Sequence, residues 1–138
     1  MSLFNIFDIA GSGMSAQSLR LNTTASNLAN AESVSSSVDQ TYRSRQPVFS
    51  AVMQDAMGKE TAGAGVQVLG IVESQAPIQP IYQPDHPMAD AQGYIYTSNV
   101  NPIEELTNMI SASRSYQNNV EMLSTSKQLL QATLRLGE

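Results

Sequence analysis

Three groups of residues have the types and spacing that chemistry needs. His86 is the single histidine and stands in Asp85-His86-Pro87, with Asp90 four residues on. Two carboxylates and an imidazole could open a metal site or an acid–base pair. With no second histidine and no cysteine, and in a proline-rich stretch, a histidine that merely shapes a turn is the better reading. Gly11-Ser12-Gly13-Met14-Ser15-Ala16 fits the loose glycine pattern that cradles a pyrophosphate. That use needs a buried strand before it and a βαβ unit after it, and neither is there. Tyr42-Arg43-Ser44-Arg45 could contact nucleic acid or acidic groups. In a chain of net charge −5 with no further basic clustering, a solvated strand edge or a salt bridge between subunits is expected instead. The absence of cysteine excludes disulfides, thiol chemistry and Cys-based metal sites. No catalytic or cofactor constellation stands out, so the chain is not expected to be an enzyme.

The informative pattern is structural. From Asn101 to Gly137 the sequence reads as one long helix. Asn101 is a good N-cap, Pro102 suits the first helical position, and Glu104 stands three residues after the cap. Arg135 and Gly137 suit its end. Positions 106, 109, 113, 116, 120, 123, 127, 130 and 134 alternate steps of three and four. They hold Leu106, Met109, Ser113, Tyr116, Val120, Leu123, Lys127, Leu130 and Leu134, a largely apolar coiled-coil seam. At the standard rise the helix is about 52 Å long, against a diameter near ~37 Å for a compact chain of this size. An elongated subunit is expected.

Residues 3–31 read as a second long helix. Phe7, Met14, Leu21 and Leu28 recur every seven residues, flanked by small residues such as Ala25 and Ala29. Gly11 and Gly13 weaken it by about 1 kcal/mol each relative to alanine, so a kink or a late-ordering first turn is expected there. The two seams are natural partners for each other, which leaves the middle as an excursion. Residues 32–41 form a polar break, and 46–53 have strand character. Gly58 to Gly65 reads as a hairpin tip, and Val66 to Val72 as the strongest strand. Pro77, Pro80, Pro84 and Pro87 leave room for a short strand near Ile81-Tyr82, and Gly93 to Thr97 reads as the last strand. The expected fold is mainly α with a small β-rich insert. Residues 1–31 plus 101–138 form a terminal-helix coiled-coil domain, and 32–100 a β-rich middle domain.

Only 14% of residues are charged, against about 25% in ordinary domains. Ser, Thr, Asn and Gln make up 47 of the 138. Uncharged polar side chains enter a helix–helix interface with less desolvation than charges do, so this composition suits surfaces that become covered. No stretch approaches the length of a membrane span, and no charged region of a secretory signal precedes Arg20.

Asn5-Ile6-Phe7-Asp8-Ile9-Ala10-Gly11-Ser12, Leu21-Asn22 and Ala25-Ser26-Asn27-Leu28-Ala29-Asn30-Ala31 resemble the N-terminal signature of the bacterial flagellar rod and hook axial proteins. Tyr42-Arg43, Gln46-Pro47-Val48-Phe49, Ile71-Val72-Glu73-Ser74, Asp85 to Ala91, Asn99-Val100-Asn101, Met109 to Tyr116, Asn119-Val120-Glu121 and Leu136-Gly137 extend the resemblance, towards the proximal-rod members of that family. The segment after Ala31, Glu32-Ser33-Val34 and a serine run, departs from the Thr-Pro-Gly- or Thr-Thr-Gly-like turn that such proteins often carry.

The resemblance implies a structural subunit of the flagellar proximal rod, a drive shaft that carries motor torque across the periplasm. It implies polymerisation through the terminal helices and export by the flagellar type III apparatus without a cleaved signal. The partners implied are further copies of the chain, the neighbouring rod proteins FlgB, FlgF and FlgG, and the MS-ring, with no nucleic acid. No cofactor and no metal are implied. The expected assembly interface is Phe7, Met14, Leu21, Asn27, Leu28, Ala29, Asn30, Leu106, Met109, Tyr116, Val120, Leu123, Leu130 and Leu134. A cytosolic coiled-coil adaptor or secretion chaperone is the alternative that the two seams alone would also fit.

Overall fold

The structure, a computed structural model, describes residues 3–53 and 64–136. Two long helices carry a small β insert between them. Helix α1 spans Leu3–Ala29 and helix α2 spans Pro102–Leu136. The Asn101 side chain opens α2 as its spacing predicts: Oδ1 accepts from the backbone N–H of Ile103 at 3.1 Å and of Glu104 at 3.5 Å. The residues proposed for the hairpin tip, up to Gly63, and Gly137 at the end of α2 lie outside the described residues.

Between the helices the chain makes two antiparallel sheets. Strand β2 (Arg45–Met53) pairs with β3 (Ala64–Glu73) as a long hairpin. Its register shifts between Val48 and Phe49, which leaves Leu69 as an extra residue on β3. The second sheet has the order β1–β5–β4, from Val34–Ser35, Tyr94–Thr97 and Gln79–Tyr82. The polar break at 32–41 is thus not wholly irregular. It contributes β1 and a 3₁₀ turn at Val38–Gln40, held by Ser35 and Thr41 hydroxyls bonded to each other and to Ser37 O.

The loop from β4 to β5 is built on Asp90. Its Oδ1 accepts from the N–H of Tyr94 at 2.8 Å and of Gln92 at 2.9 Å, and Oδ2 accepts from the Tyr96 hydroxyl at 3.2 Å. The Tyr94 amide is the main reason its carboxyl titrates below the ordinary 3.8, and the Tyr96 hydroxyl is raised above 10.0 first by its own hydrogen bond to Asp90. Gly93, at φ +85°, passes so close to Tyr82 that a Cβ would lie 2.9 Å from the ring. Tyr82 and Tyr94 meet edge to face at 5.2 Å between centroids. His86 sits in this loop as a turn residue. Its Nδ1 accepts from the Met88 N–H at 3.1 Å.

Helix α1 lies between the hairpin and α2 and touches both. It runs unbroken through Gly11-Ser12-Gly13, the segment matching the loose dinucleotide pattern. No break marks the two glycines, and Gly13 has a packing reason. A Cβ there would meet the Asn119 side-chain amide of α2 at 2.9 Å, whereas nothing lies within 4 Å of one at Gly11. Gly11→Ala is therefore expected to raise stability by up to about 1 kcal/mol through helix propensity. Gly13→Leu is expected to lower it by driving the helices apart; thermal unfolding of both variants separates the two cases.

The Asp90 geometry sets a pH dependence. A carboxyl whose folded pKa is depressed contributes stability above its unfolded pKa and loses it as pH falls through the folded value. The Asp90 side-chain carboxyl resonance should titrate below 3.8, and the amide shift of Tyr94, which donates to it, should move with it. In Asp90→Ala that low-pH transition should vanish, with the loop already loosened at neutral pH.

Candidate assembly interface

The largest fully buried side chain among the described residues is Asn27, 1% exposed near the end of α1. Its Nδ2 donates to Arg45 O at 2.8 Å and to Glu105 Oε1 at 3.1 Å. Its Oδ1 accepts from the Arg45 N–H and the Tyr42 hydroxyl, both at 2.9 Å. Two donors and two acceptors are the full capacity of the amide, so nothing is left unpaired. Around it, Ser44 Oγ reaches the same Glu105 oxygen at 3.5 Å, and the Ser44 N–H donates to Asn99 Oδ1 at 2.7 Å. Asn99 Nδ2 in turn bonds Ala76 O. One residue of α1 thereby holds the first residue of β2, the first turn of α2 and the segment leading into it. Asn30 plays a lesser part, with Nδ2 bonded to Ser26 O at 2.8 Å.

Arg45 completes the junction. Its guanidinium lies 5.4 Å from the Tyr42 ring centre and pairs with Glu73 across the hairpin at 3.2 Å. Arg43 Nη1 bonds the carbonyls of Ser74 and Ala76. The two arginines thus serve the strand edge within one chain.

From Asn27 the helices diverge in chain direction. Asn27 meets Glu105, Arg20 Nη2 bonds Asn108 Oδ1 at 3.1 Å, and Gly13 abuts Asn119. Rising numbers on one helix against falling numbers on the other make the pair antiparallel. The contact line on α1 is Ala10, Gly13, Gln17, Arg20, Thr24 and Asn27; on α2 it is Glu105, Asn108, Ala112, Asn119 and Ser126. Ala10, Thr24, Ala112 and Ser126 along it are buried, Ala112 completely. Gln17 Oε1 is buried there without a hydrogen-bond partner. The contact is made by small and polar residues.

The large apolar residues of the sequence seams stand beside this line. With 100° per residue, Phe7, Met14, Leu21 and Leu28 lie roughly 80° round α1 from it. Met109, Tyr116, Val120, Leu123 and Leu134 lie about 75° round α2 from it, in the same rotational sense. In an antiparallel pair, equal offsets of one sense bring both rows to the same side. The β2–β3 hairpin occupies the other side, where the Val66 N–H donates to Ser12 Oγ at 3.1 Å. The structure therefore brings the two rows into one two-helix face that no part of the described chain covers. Phe7, Met14, Leu21, Leu28, Met109 and Leu123 are part-buried on it, while Leu130, part-buried too, falls in line with Ala112. Leu106, Tyr116, Val120 and Leu134 are exposed, Val120 by 43% and Leu134 by 65%. Ala29 is exposed beyond it, and Asn27 and Asn30 belong to the junction rather than to this face.

Comparison with known proteins settles the kinship. Residues 7–34 match the family described as flagella basal body rod protein, and residues 91–136 match the family described as flagellar basal body rod FlgEFG protein C-terminal. The chain is 53% identical to the flagellar basal-body rod protein FlgC of Yersinia enterocolitica, over the whole length of both chains. It is 51% identical to that of Salmonella typhimurium and 46% identical to that of Buchnera aphidicola subsp. Acyrthosiphon pisum, again over the full length of both chains. The chain belongs to the FlgC family of flagellar basal-body rod proteins. Its resemblance to the axial proteins, carried by the Ser26-Asn27-Leu28-Ala29-Asn30 core, is thereby confirmed.

Within this FlgC-family chain, Asn27 is a residue whose weight lies in the number of partners it satisfies. Glu105, Ser44, Tyr42 and Asn99 carry no periodic signal, and only the fold shows that they converge on it. Among the described residues no group of three His, Cys, Asp or Glu side chains is placed to hold a metal. Asn27→Ala is expected to cost on the order of 3 kcal/mol, since it strands Glu105 and the Arg45 peptide without partners. Asn30→Ala, which loses one bond to a carbonyl at a helix end, is expected to cost about 1 kcal/mol. Urea unfolding midpoints of the two variants measure the difference; equal losses would remove Asn27 from its central place.

Proposed function

We propose that the chain is a structural subunit of the flagellar basal-body rod, in its proximal part, rather than an enzyme. It polymerises through the two-helix face and transmits motor torque across the periplasm. The carrying observation is full-length identity of 51–53% to FlgC rod proteins, joined to an apolar face on the terminal helices that the chain leaves uncovered. A seven-residue apolar repeat suits a helical partner, since only supercoiled helices keep such a stripe in contact. Residues 1–31 with 101–138 form the polymerising coiled-coil unit, and residues 32–100 the outward unit. The partners are further FlgC copies, FlgB, FlgF and FlgG, and the MS-ring.

Export follows the flagellar type III route without a cleaved signal. Among the described residues no helix is long and apolar enough to cross a membrane. The cytosolic adaptor reading receives no support from the relatives.

Torque needs stiffness, and stiffness comes from many distributed contacts. Val120→Asp and Leu106→Asp alter side chains that are exposed in the single subunit, so each should leave the circular dichroism spectrum unchanged. Each should abolish complementation of a strain lacking its own FlgC, with loss of the subunit from purified basal bodies. Full motility in both variants would overturn the assignment of this face.

A further inference from the structure

We propose that the β2–β3 hairpin splints a glycine-weakened turn of α1, with Ser12 as the positioning residue that joins the two. The proposal rests on the reading of the chain as a rod subunit, because Phe7, on the two-helix face, stands just before that turn.

The weakness lies in the residue types. Gly11 and Gly13 flank Ser12, and glycine is among the poorest residues for a helix interior. Ser12 adds to it. Its Oγ donates to the Ile9 carbonyl at 2.8 Å, a back-bond of the kind that slightly destabilises and bends helices. Helix α1 nevertheless passes through all three residues without a break. Packing on α2 accounts for Gly13 but not for Gly11, where nothing lies within 4 Å of a Cβ.

The hairpin supplies the support. Ser12 Oγ, its proton given to Ile9, accepts from the Val66 N–H of β3 at 3.1 Å. Gly65 passes so close that a Cβ there would lie 3.5 Å from the same oxygen. Asp8, Ile9, Val52 and Val66 border a cavity of about 320 Å³ beside this contact. Side-chain packing is therefore loose here, and the hydrogen bond sets the spacing. Towards the other end of α1, Asn27 holds the Arg45 peptide at the start of β2. The two ties are separated by about 22 Å of helix. A ribbon tied at its start alone could swing about that point; tied at both places, it holds α1 straight between them. The second tie falls on the glycine-flanked turn, where the helix has least intrinsic preference of its own. A two-stranded ribbon is itself marginal in water, so each element steadies the other.

Hydrogen exchange on the full chain tests the splint, and motility of a strain complemented with each variant tests its consequence. Ser12→Ala gives the clearest sign. Alanine is the better helix former, so a turn held by its own propensity would gain protection, whereas a splinted turn loses it. The expected result is faster exchange of the Val66 amide and of the amides from Phe7 to Gly13, on the order of fivefold. The Arg45 amide, held by Asn27, should not move. Val66→Pro removes the N–H that Ser12 accepts while leaving α1 unaltered, and should have the same effect on the helix amides. Gly11→Ala added to Ser12→Ala should restore the helix amides and motility. Helix amides that become slower in Ser12→Ala, or stay unmoved in Val66→Pro, would overturn the splint. Helix amides already unprotected in the unaltered chain would do so too, as would equal loosening at Arg45. Full motility in Ser12→Ala would remove its part in assembly. If the unaltered chain itself fails to restore motility, the rod-subunit reading fails, while the exchange rates still decide the splint.

Discussion

The side-chain amide of Asn27 is the constraint on which the arrangement of this chain depends. Buried amides are costly unless every donor and acceptor is matched. Here the matching groups come from three separate elements: the Arg45 peptide and Tyr42 at the entry to the hairpin, and Glu105 in the first turn of α2. Satisfying one side chain therefore fixes where the hairpin leaves α1 and where α2 returns to it. The small core makes this necessary. Among the described residues the largest fully buried side chain is not apolar but Asn27, so polar geometry takes a share of the work that apolar packing does in ordinary domains.

The same economy shapes the helix pair. Small side chains such as Ala10, Gly13 and Ala112 let the two backbones approach closely, and polar contacts such as Arg20 with Asn108 set their register. The large apolar residues are spared from that contact and point to one side. A chain that used Leu123 and Leu21 to close its own hairpin would have less left to offer a neighbour. A subunit of a shaft needs the converse: enough internal order to present a shape, with most of its apolar surface kept for contacts between copies.

Much of this was legible from residue order. The ends of α2 follow from the Asn101 cap and the unbroken stretch after it, and the strands follow from Val66 to Val72 and the tyrosine-rich run after Gly93. These are local signals, since caps, periodicity and turn chemistry act over a few residues. The seams were legible too, as two apolar stripes. The reading that the stripes face each other required knowing which face of each helix turns inward. Periodicity cannot supply that, because a stripe about 80° away from the contact line has the same period.

What the sequence determined by itself is therefore the kind and order of the elements, and, through its ordered run of motifs, the family. Each depends on short-range chemistry or on the residues taken as a string. What only the tertiary structure decided is which residues meet across long separations: Asn27 with Glu105, Gly13 with Asn119, Ser12 with the Val66 amide, and the two apolar rows on a common side. Those pairings arise from a balance between satisfying buried polar groups and bringing backbones close. That balance is a property of the folded chain as a whole, so no single segment of the sequence expresses it.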